Sequence, residues 1–301
     1  CAEAVGPRAD IECFLVFDDS LISAEINGVK VVAPDGRTFE AEMPGIGFVV
    51  DRELFDRRLA EDAQRAGAEL RTGNQAVGLI VRDGAVQGVR VKDLEAESEY
   101  EVSSRVAVGA DGVESLSPRW AGIKRSFTPR EVLSCAQELI EDGGLPADRI
   151  EFHLGSRYAP GGYAWVFAKG HGRANVGVGV DATMTGGRTA LEYLDRFIEH
   201  RCPGGTRTRF VAGGCEVARG LERLVTDGYV AVGEAAHQNN PFSGGGIVNA
   251  LEAADMAADA ITAALRSGTA SRKALQPYER SWKRSVGEEQ RPLPPRRPNI
   301  L

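Results

Sequence analysis

One stretch of the chain constrains its fold more than any other: Val230-Ala-Val-Gly-Glu-Ala-Ala-His-Gln-Asn-Asn-Pro-Phe-Ser-Gly-Gly-Gly-Ile247. A hydrophobic strand ends in Gly233-Glu234, a loop with Pro241 follows, and Gly244, Gly245 and Gly246 open an alanine-rich helix expected over residues 244–265. A strand feeding a helix through a glycine loop is the working unit of α/β folds. The glycines let a helix N-terminus approach a planar, electron-accepting ligand, and that end offers free N–H groups and a positive dipole. Glu234 stands where its carboxylate can accept hydrogen bonds from ribose hydroxyls. Glycine is in excess throughout, 36 of 301 residues against an average near 7%, as expected of a chain with many tight turns and close backbone approaches.

The rest of the chain alternates between two patterns. A hairpin is expected from Val29–Val32 and Thr38–Ala41 around Pro34-Asp-Gly-Arg37, and a helix from an Asp51 cap to about Ala66. Leu54, Phe55, Leu59, Ala63 and Ala66 fall on one face of that helix, and Gly67 ends it. Strands are expected at Glu69–Thr72, at Val77–Arg82 and Val86–Lys92 about an Asp83-Gly84 turn, and at Arg105–Val108. The middle third reads as β: Val132–Leu139, Ile150–Leu154, Tyr163–Ala168 and Ala174–Val180, interrupted by one helix over Thr189–His200. The last third returns to α/β order, with a further helix at Leu275–Ser285 and a Pro- and Arg-rich tail.

Composition excludes several function classes. The balance of 36 Lys and Arg against 43 Asp and Glu gives a net charge of −7, so no basic footprint for nucleic acid is present. No apolar run is long enough for a transmembrane helix. Cys1, Cys13, Cys135, Cys202 and Cys215 form no C-x-x-C pair, and the four histidines are scattered. That pattern predicts neither a disulfide framework nor a metal site, and fits a reducing cytoplasm.

The glycine-rich segment resembles the motif on the C-terminal side of the FAD domain in the geranylgeranyl reductase family, within the hydroxybenzoate-hydroxylase-like flavoproteins. Three more segments agree, in the family's order. Val49-Val-Asp-Arg-Glu-Leu-Phe-Asp-Arg-Arg-Leu-Ala60 resembles the helix after the entry loop, and Val106-Ala-Val-Gly-Ala-Asp-Gly-Val-Glu-Ser115 resembles the Asp-Gly fingerprint. Pro160-Gly-Gly-Tyr-Ala-Trp-Val-Phe-Ala-Lys-Gly170, with Ala174-Asn-Val-Gly-Val-Gly179, resembles the reductase strands that face the prenyl substrate. Cys1-Ala-Glu3 is similar to a loop beside the flavin.

The resemblance implies an α/β fold: a Rossmann-like FAD domain with an inserted, mostly antiparallel β-sheet substrate domain. It places the FAD domain at residues 1–13, 48–128 and 215–288, the substrate domain at 14–47 and 129–214, and a tail at 289–301. The G-x-G-x-x-G fingerprint is not among the 301 residues, and its βαβ unit is expected to precede Cys1. The implied cofactor set is Cys1, Arg52, Ala76, Asp111, Gly112, Gly233, Glu234, Gly244, Gly245, Gly246 and Ile247. Cys1 is also the one side chain placed beside the chemistry, the flavin itself carrying the hydride. Tyr163 and Trp165 share a strand face and divide evenly between core packing and lining an apolar substrate groove. His237, near the glycine loop, reads as a structural histidine in preference to a general acid.

The implied activity is reduction of isoprenoid carbon–carbon double bonds on a prenylated lipid or prenyl diphosphate. Electrons would come from NADPH or a ferredoxin-type donor, in the cytoplasm or at the membrane periphery. Two alternatives stay open from the residues: an aromatic hydroxylase on the same fold, and a non-catalytic remnant that binds no FAD.

Overall fold

The structure, a computed structural model, describes residues 2–123, 128–241 and 243–285. The expected tail and Cys1 lie outside the described residues. The first elements are β1 (Ala4–Val5), α1 (Ala9–Glu12), β2 (Ile22–Val32), β3 (Thr38–Val50) and α2 (Arg52–Arg65). There follow β4 (Asn74–Arg82), β5 (Ala85–Asp93), β6 (Ser98–Ser103), β7 (Ala107–Gly109) and α3 (Ser117–Trp120). The middle holds β8 (Val132–Glu141), β9 (Arg149–Leu154), β10 (Tyr163–Ala168), β11 (Arg173–Asp181), α4 (Ala190–Arg201) and β12 (Thr206–Glu216). Last come β13 (Val225–Thr226), β14 (Tyr229–Ala231), α5 (Ile247–Arg266) and α6 (Arg272–Ser285).

These elements form two compact units. Residues 2–59 and 128–215 make one; residues 60–123 and 216–285 make the other. The N-terminal segment belongs with the first because β1 pairs with β3 through Ala4↔Val49 and Val5↔Phe48.

The first unit is built on an eight-stranded sheet in the order β1-β3-β2-β9-β10-β11-β8-β12. Its described pairings are antiparallel except for β2 beside β9, which run parallel. The β2–β3 hairpin forms as expected, with Val32 opposite Thr38 and Gly36 at φ +84° in the turn. The α4 helix starts on a full capping box: Thr189 Oγ1 accepts from the Glu192 N–H, and the Glu192 carboxylate accepts from the Thr189 N–H. Tyr193, Leu194, Phe197 and Ile198 of α4 pack on Ala164, Val166, Val176 and Val178 and seal one face of the sheet. Near the end of that helix Glu151 is buried yet ionised. Burial pushes its carboxyl up, but hydrogen bonds from Arg201, at 2.7 and 2.8 Å, and from His153, at 3.0 Å, overcome that and hold it at about 2.

The second unit carries a sheet of β13-β14-β7 and a separate antiparallel one of β4-β5-β6. In the β4–β5 turn Asp83 and Gly84 both take positive φ, +50° and +78°, which an Asp-Gly hairpin requires. Ala253, Ala257, Ala260 and Ala264 recur along one face of α5 and pack with Leu275, Tyr278 and Trp282 of α6 and with β14. Small side chains on that face let α5 approach closely.

Two expectations fail. Residues 69–72 form no strand, and β4 begins only at Asn74. The stretch Glu69-Leu-Arg-Thr72 is exposed, so no burial rewards extension. On α2, capped by Asp51 Oδ1 at the Glu53 and Leu54 N–H groups, only Phe55 is buried, and Leu54, Ala63 and Ala66 are exposed. The helical spacing was right there, but it did not predict burial.

Candidate functional site

In the second unit two loops leave neighbouring strand ends. β7 and β14 run parallel, with Tyr229 opposite Ala107 and Ala231 opposite Gly109. The loop after β7 begins with Asp111-Gly112, and the loop after β14 begins with Gly233-Glu234. In open α/β sheets ligands bind at such carboxyl ends of parallel strands. The Asp-Gly and Gly-Glu motifs, more than a hundred residues apart in sequence, are thus brought to one end of one sheet.

Each loop is held from beneath. Asp111 accepts from the Leu116 N–H at 2.9 Å, the Ser117 N–H at 3.0 Å and Ser117 Oγ at 2.5 Å, so its carboxylate shapes the loop and starts α3. Ser117 Oγ also meets the Tyr229 hydroxyl at 2.8 Å, and Tyr229 is fully buried. Gly112 has φ +73°, with nothing near where a side chain would stand.

On the other loop, Gly233 has φ +63° and its N–H donates to Gln238 Oε1 at 2.6 Å. Gln238 Nε2 donates to the Tyr278 hydroxyl at 2.9 Å, and that hydroxyl donates to the Ala231 carbonyl at 2.9 Å. Burial raises the Tyr278 pKa above its ordinary value, so it stays a neutral donor. Glu234 accepts from Asn239 Nδ2 at 2.5 Å, which fixes the carboxylate.

Beyond the loop, α5 begins at Ile247 with Gly246 as its N-cap, and no side chain caps it. Gly244 has φ +72°, a backbone conformation that favours glycine. Gly246 is glycine for a different reason: a Cβ there would collide with the Asn239 side chain. It therefore protects the Asn239–Glu234 pair, where the sequence suggested only ligand clearance. Gly245, at ordinary φ, meets only Ser243 Oγ at 3.2 Å. An uncapped start on a 20-residue helix, open space beside Gly112 and an oriented carboxylate at a strand end fit a flavin nucleotide.

Other expected residues lie elsewhere. Ala76 is exposed on β4, beside a bulge. Arg52, in the first unit, forms a two-pronged pair with Asp56, at 2.9 and 3.0 Å. His237 is buried, with Nδ1 donating to the Arg219 carbonyl at 3.2 Å, a structural contact. Among the described residues no group of His, Cys, Asp and Glu could hold a metal ion.

In the first unit, Tyr163 and Trp165 share a face of β10, the one opposite α4. Trp165 is only 6% exposed, and its Nε1 donates to Gln137 Oε1 at 3.0 Å. Its ring lies over Gly177, directly across on β11. Tyr163 is half-buried, its ring 5.8 Å from Trp165 and 5.3 Å from Phe152. Burial, with Cys215 and Cys135 nearby, raises the Tyr163 pKa well above its usual range. At the end of this strand Lys169 Nζ donates to Glu3 at 2.5 Å, and Asn175 Nδ2 donates to Glu3 at 2.8 Å and to the Ala2 carbonyl at 3.2 Å. These contacts fix the residues next to Cys1 against the sheet.

Comparison with known proteins bears on this arrangement directly. Residues 131–217 match the geranylgeranyl reductase catalytic domain, and residues 46–140 match an FAD binding domain. The chain is 40% identical over 296 residues to the digeranylgeranylglycerophospholipid reductase of Methanosarcina acetivorans, spanning 96% of this chain and 72% of that one. The chain belongs to the geranylgeranyl reductase family. The Methanocella arvoryzae digeranylgeranylglycerophospholipid reductase is likewise 40% identical, over 292 residues, with 96% of this chain and 74% of that one covered. A crystal structure described as geranylgeranyl bacteriochlorophyll reductase-like, from Thermoplasma acidophilum, superposes with a TM-score of 0.89 at 31% identity, covering 96% of this chain and 75% of that one. A flavin-dependent brominase, at 18% identity and a TM-score of 0.70, shares the fold.

Proposed function

We propose that this protein is an FAD-dependent reductase that saturates the geranylgeranyl chains of a glycerophospholipid. The supporting observation is the pair of loops at the carboxyl ends of β7 and β14, with a glycine-opened, uncapped α5 beyond them. Bound FAD supplies hydride chemistry, and the protein supplies binding, orientation and electrostatics. The first N–H groups of α5, from Ile247 on, would hold the electron-rich edge of the ring, with Gly244 and Gly245 adding no side chain to the approach. Glu234, oriented by Asn239, would accept ribose hydroxyls. Gly112, on the loop braced by Asp111, would face the phosphates. Arg52 and Ala76 are assigned to the cofactor by family resemblance.

On the substrate side, Tyr163 supplies apolar wall, and Trp165 is the packed floor beneath it. An isoprenoid chain has no polar group to satisfy, so an aromatic surface is the chemistry it needs. A lipid substrate would be met at a bilayer surface, and a peripheral location there is part of this reading; among the described residues no helix is long and apolar enough to cross a membrane.

The test is direct. The purified protein, reduced with dithionite in place of its physiological donor, NADPH or a ferredoxin-type protein, should hydrogenate digeranylgeranylglycerophospholipid. Gly245→Val should remove bound flavin while the melting temperature in the absence of flavin stays unchanged. Full flavin content in that variant would contradict the cofactor placement.

A further inference from the structure

We infer that the aromatic face of the large sheet continues past Trp165 as a track for the far end of the isoprenoid chain, ending on Phe39 of the β2–β3 hairpin. The inference rests on the reductase reading above. The strand registers carry it. Trp165 lies opposite Phe152, Phe152 is in register with Val31, and Val31 lies opposite Phe39. Residues paired across strands share a face, so these four form one row across β10, β9, β2 and β3. A second row runs beside it: Phe167, Ile150, Val29 and Ala41.

The opposite face of the same hairpin is polar. Lys30 pairs with Glu40 at 3.1 Å, and Arg149 pairs with Glu40 at 3.3 Å and Glu42 at 3.1 Å. Its side chains are charged or polar except for Val32, and the other side of the hairpin is apolar. Ordinarily such a face is packed against another element. Here burial fades along the row: Trp165 is 6% exposed, Phe152 and Val31 are half-buried, and Phe39 is 66% exposed. Among the described residues, nothing covers Phe39.

The occupant is fixed by chemistry and length. Apart from the Trp165 Nε1–H, already bonded to Gln137, the side chains of both rows carry no hydrogen-bonding group, so they suit a hydrocarbon and would leave a peptide or a headgroup unsatisfied. The row is also continuous with the Tyr163–Trp165 surface assigned to the substrate. From Trp165 to Phe39 is three strand spacings, about 14 Å. That is longer than an extended ten-carbon geranyl chain and shorter than a twenty-carbon geranylgeranyl chain. A geranylgeranyl chain starting at Tyr163 and Trp165 would reach Phe39, and a geranyl chain would not.

Phe39→Ser in the intact protein tests this, with geranyl and geranylgeranyl substrates compared. Phe39 is exposed, so the fold should survive, and the melting temperature verifies it. The prediction is a KM for the geranylgeranyl substrate raised about five- to tenfold with kcat unchanged, the signature of lost uniform binding. The KM for the geranyl substrate should not move, and Phe39→Leu should restore the geranylgeranyl value. Equal effects on both substrates, or none, would overturn the track while leaving the reductase reading intact. Loss of binding to phosphatidylglycerol vesicles without a chain-length effect would make the hairpin a bilayer contact instead. A change from dimer to monomer on sedimentation would make it a subunit contact. Either result would overturn the track. Failure of the wild type to reduce either substrate would overturn the reductase reading itself and the track with it.

Discussion

Trp165 and Gly177 form a pair whose coupling can be calculated before it is measured. Trp165→Ala removes a buried ring, its edge contact to Tyr163 and its hydrogen bond to Gln137. Losing a buried Trp costs about 3–5 kcal/mol, and leaving Gln137 Oε1 without its donor adds about 1–3 kcal/mol. Gly177→Ala in the wild type puts a Cβ into the Trp165 ring, and overpacking of that kind costs about 1–3 kcal/mol. With Trp165 already Ala, the same Cβ enters vacated space. Alanine then improves on glycine within a strand by about 0.5–1 kcal/mol. The sign of Gly177→Ala should therefore reverse between the two backgrounds, a coupling of about 1.5–4 kcal/mol. Urea unfolding of the four proteins, followed by circular dichroism, measures it. If Gly177→Ala costs the same in both backgrounds, Trp165 does not lie over Gly177, and its assignment as the floor of the substrate surface fails.

Two more perturbations test other parts of the molecule. The Glu151 carboxyl titrates near 2 in the folded protein. A lowered folded pKa gives stability that is present above the ordinary carboxylate range and is lost as pH falls toward 2. Its contribution is about 3 kcal/mol, so Glu151→Gln should flatten the fall in melting temperature between pH 5 and pH 2; an unchanged slope would refute the pairing with Arg201. Glu234→Ala removes a charged acceptor worth about 1.5–3 kcal/mol, so the flavin dissociation constant should rise about ten- to a hundredfold in a fluorescence titration.

The strands around the substrate surface are legible in the sequence because their signals are local. Tyr163–Ala168 alternates between glycine turns and forms β10 with the expected bounds, and the Asp83-Gly84 turn fixes the β4–β5 hairpin by itself. β6 and β12 escape because Ser98-Glu-Tyr-Glu-Val-Ser103 and Thr206-Arg-Thr-Arg209 are mostly exposed and polar. They are strands through pairing with a neighbour, which composition does not display. The glycines and Glu234 stand out for the same local reason. The residues that brace them do not: Tyr278 reaches Gln238 from 40 residues away and Tyr229 reaches Ser117 from 112. Gly246 shows the limit most clearly. The sequence marks it as glycine for a ligand's sake, and the structure shows that Asn239 already requires it.

The central claim is that this chain holds a flavin that hydrogenates geranylgeranyl chains. An anaerobic single-turnover experiment tests it most directly. The flavin of the purified protein is reduced with dithionite, excess reductant is removed, and digeranylgeranylglycerophospholipid is added. The account predicts that the flavin reoxidises, and that for each flavin one double bond of the lipid gains two hydrogens by mass spectrometry, with Glu234→Ala losing both signals together. Flavin that stays reduced in the presence of the lipid, or that reoxidises while the lipid mass stays unchanged, would contradict it.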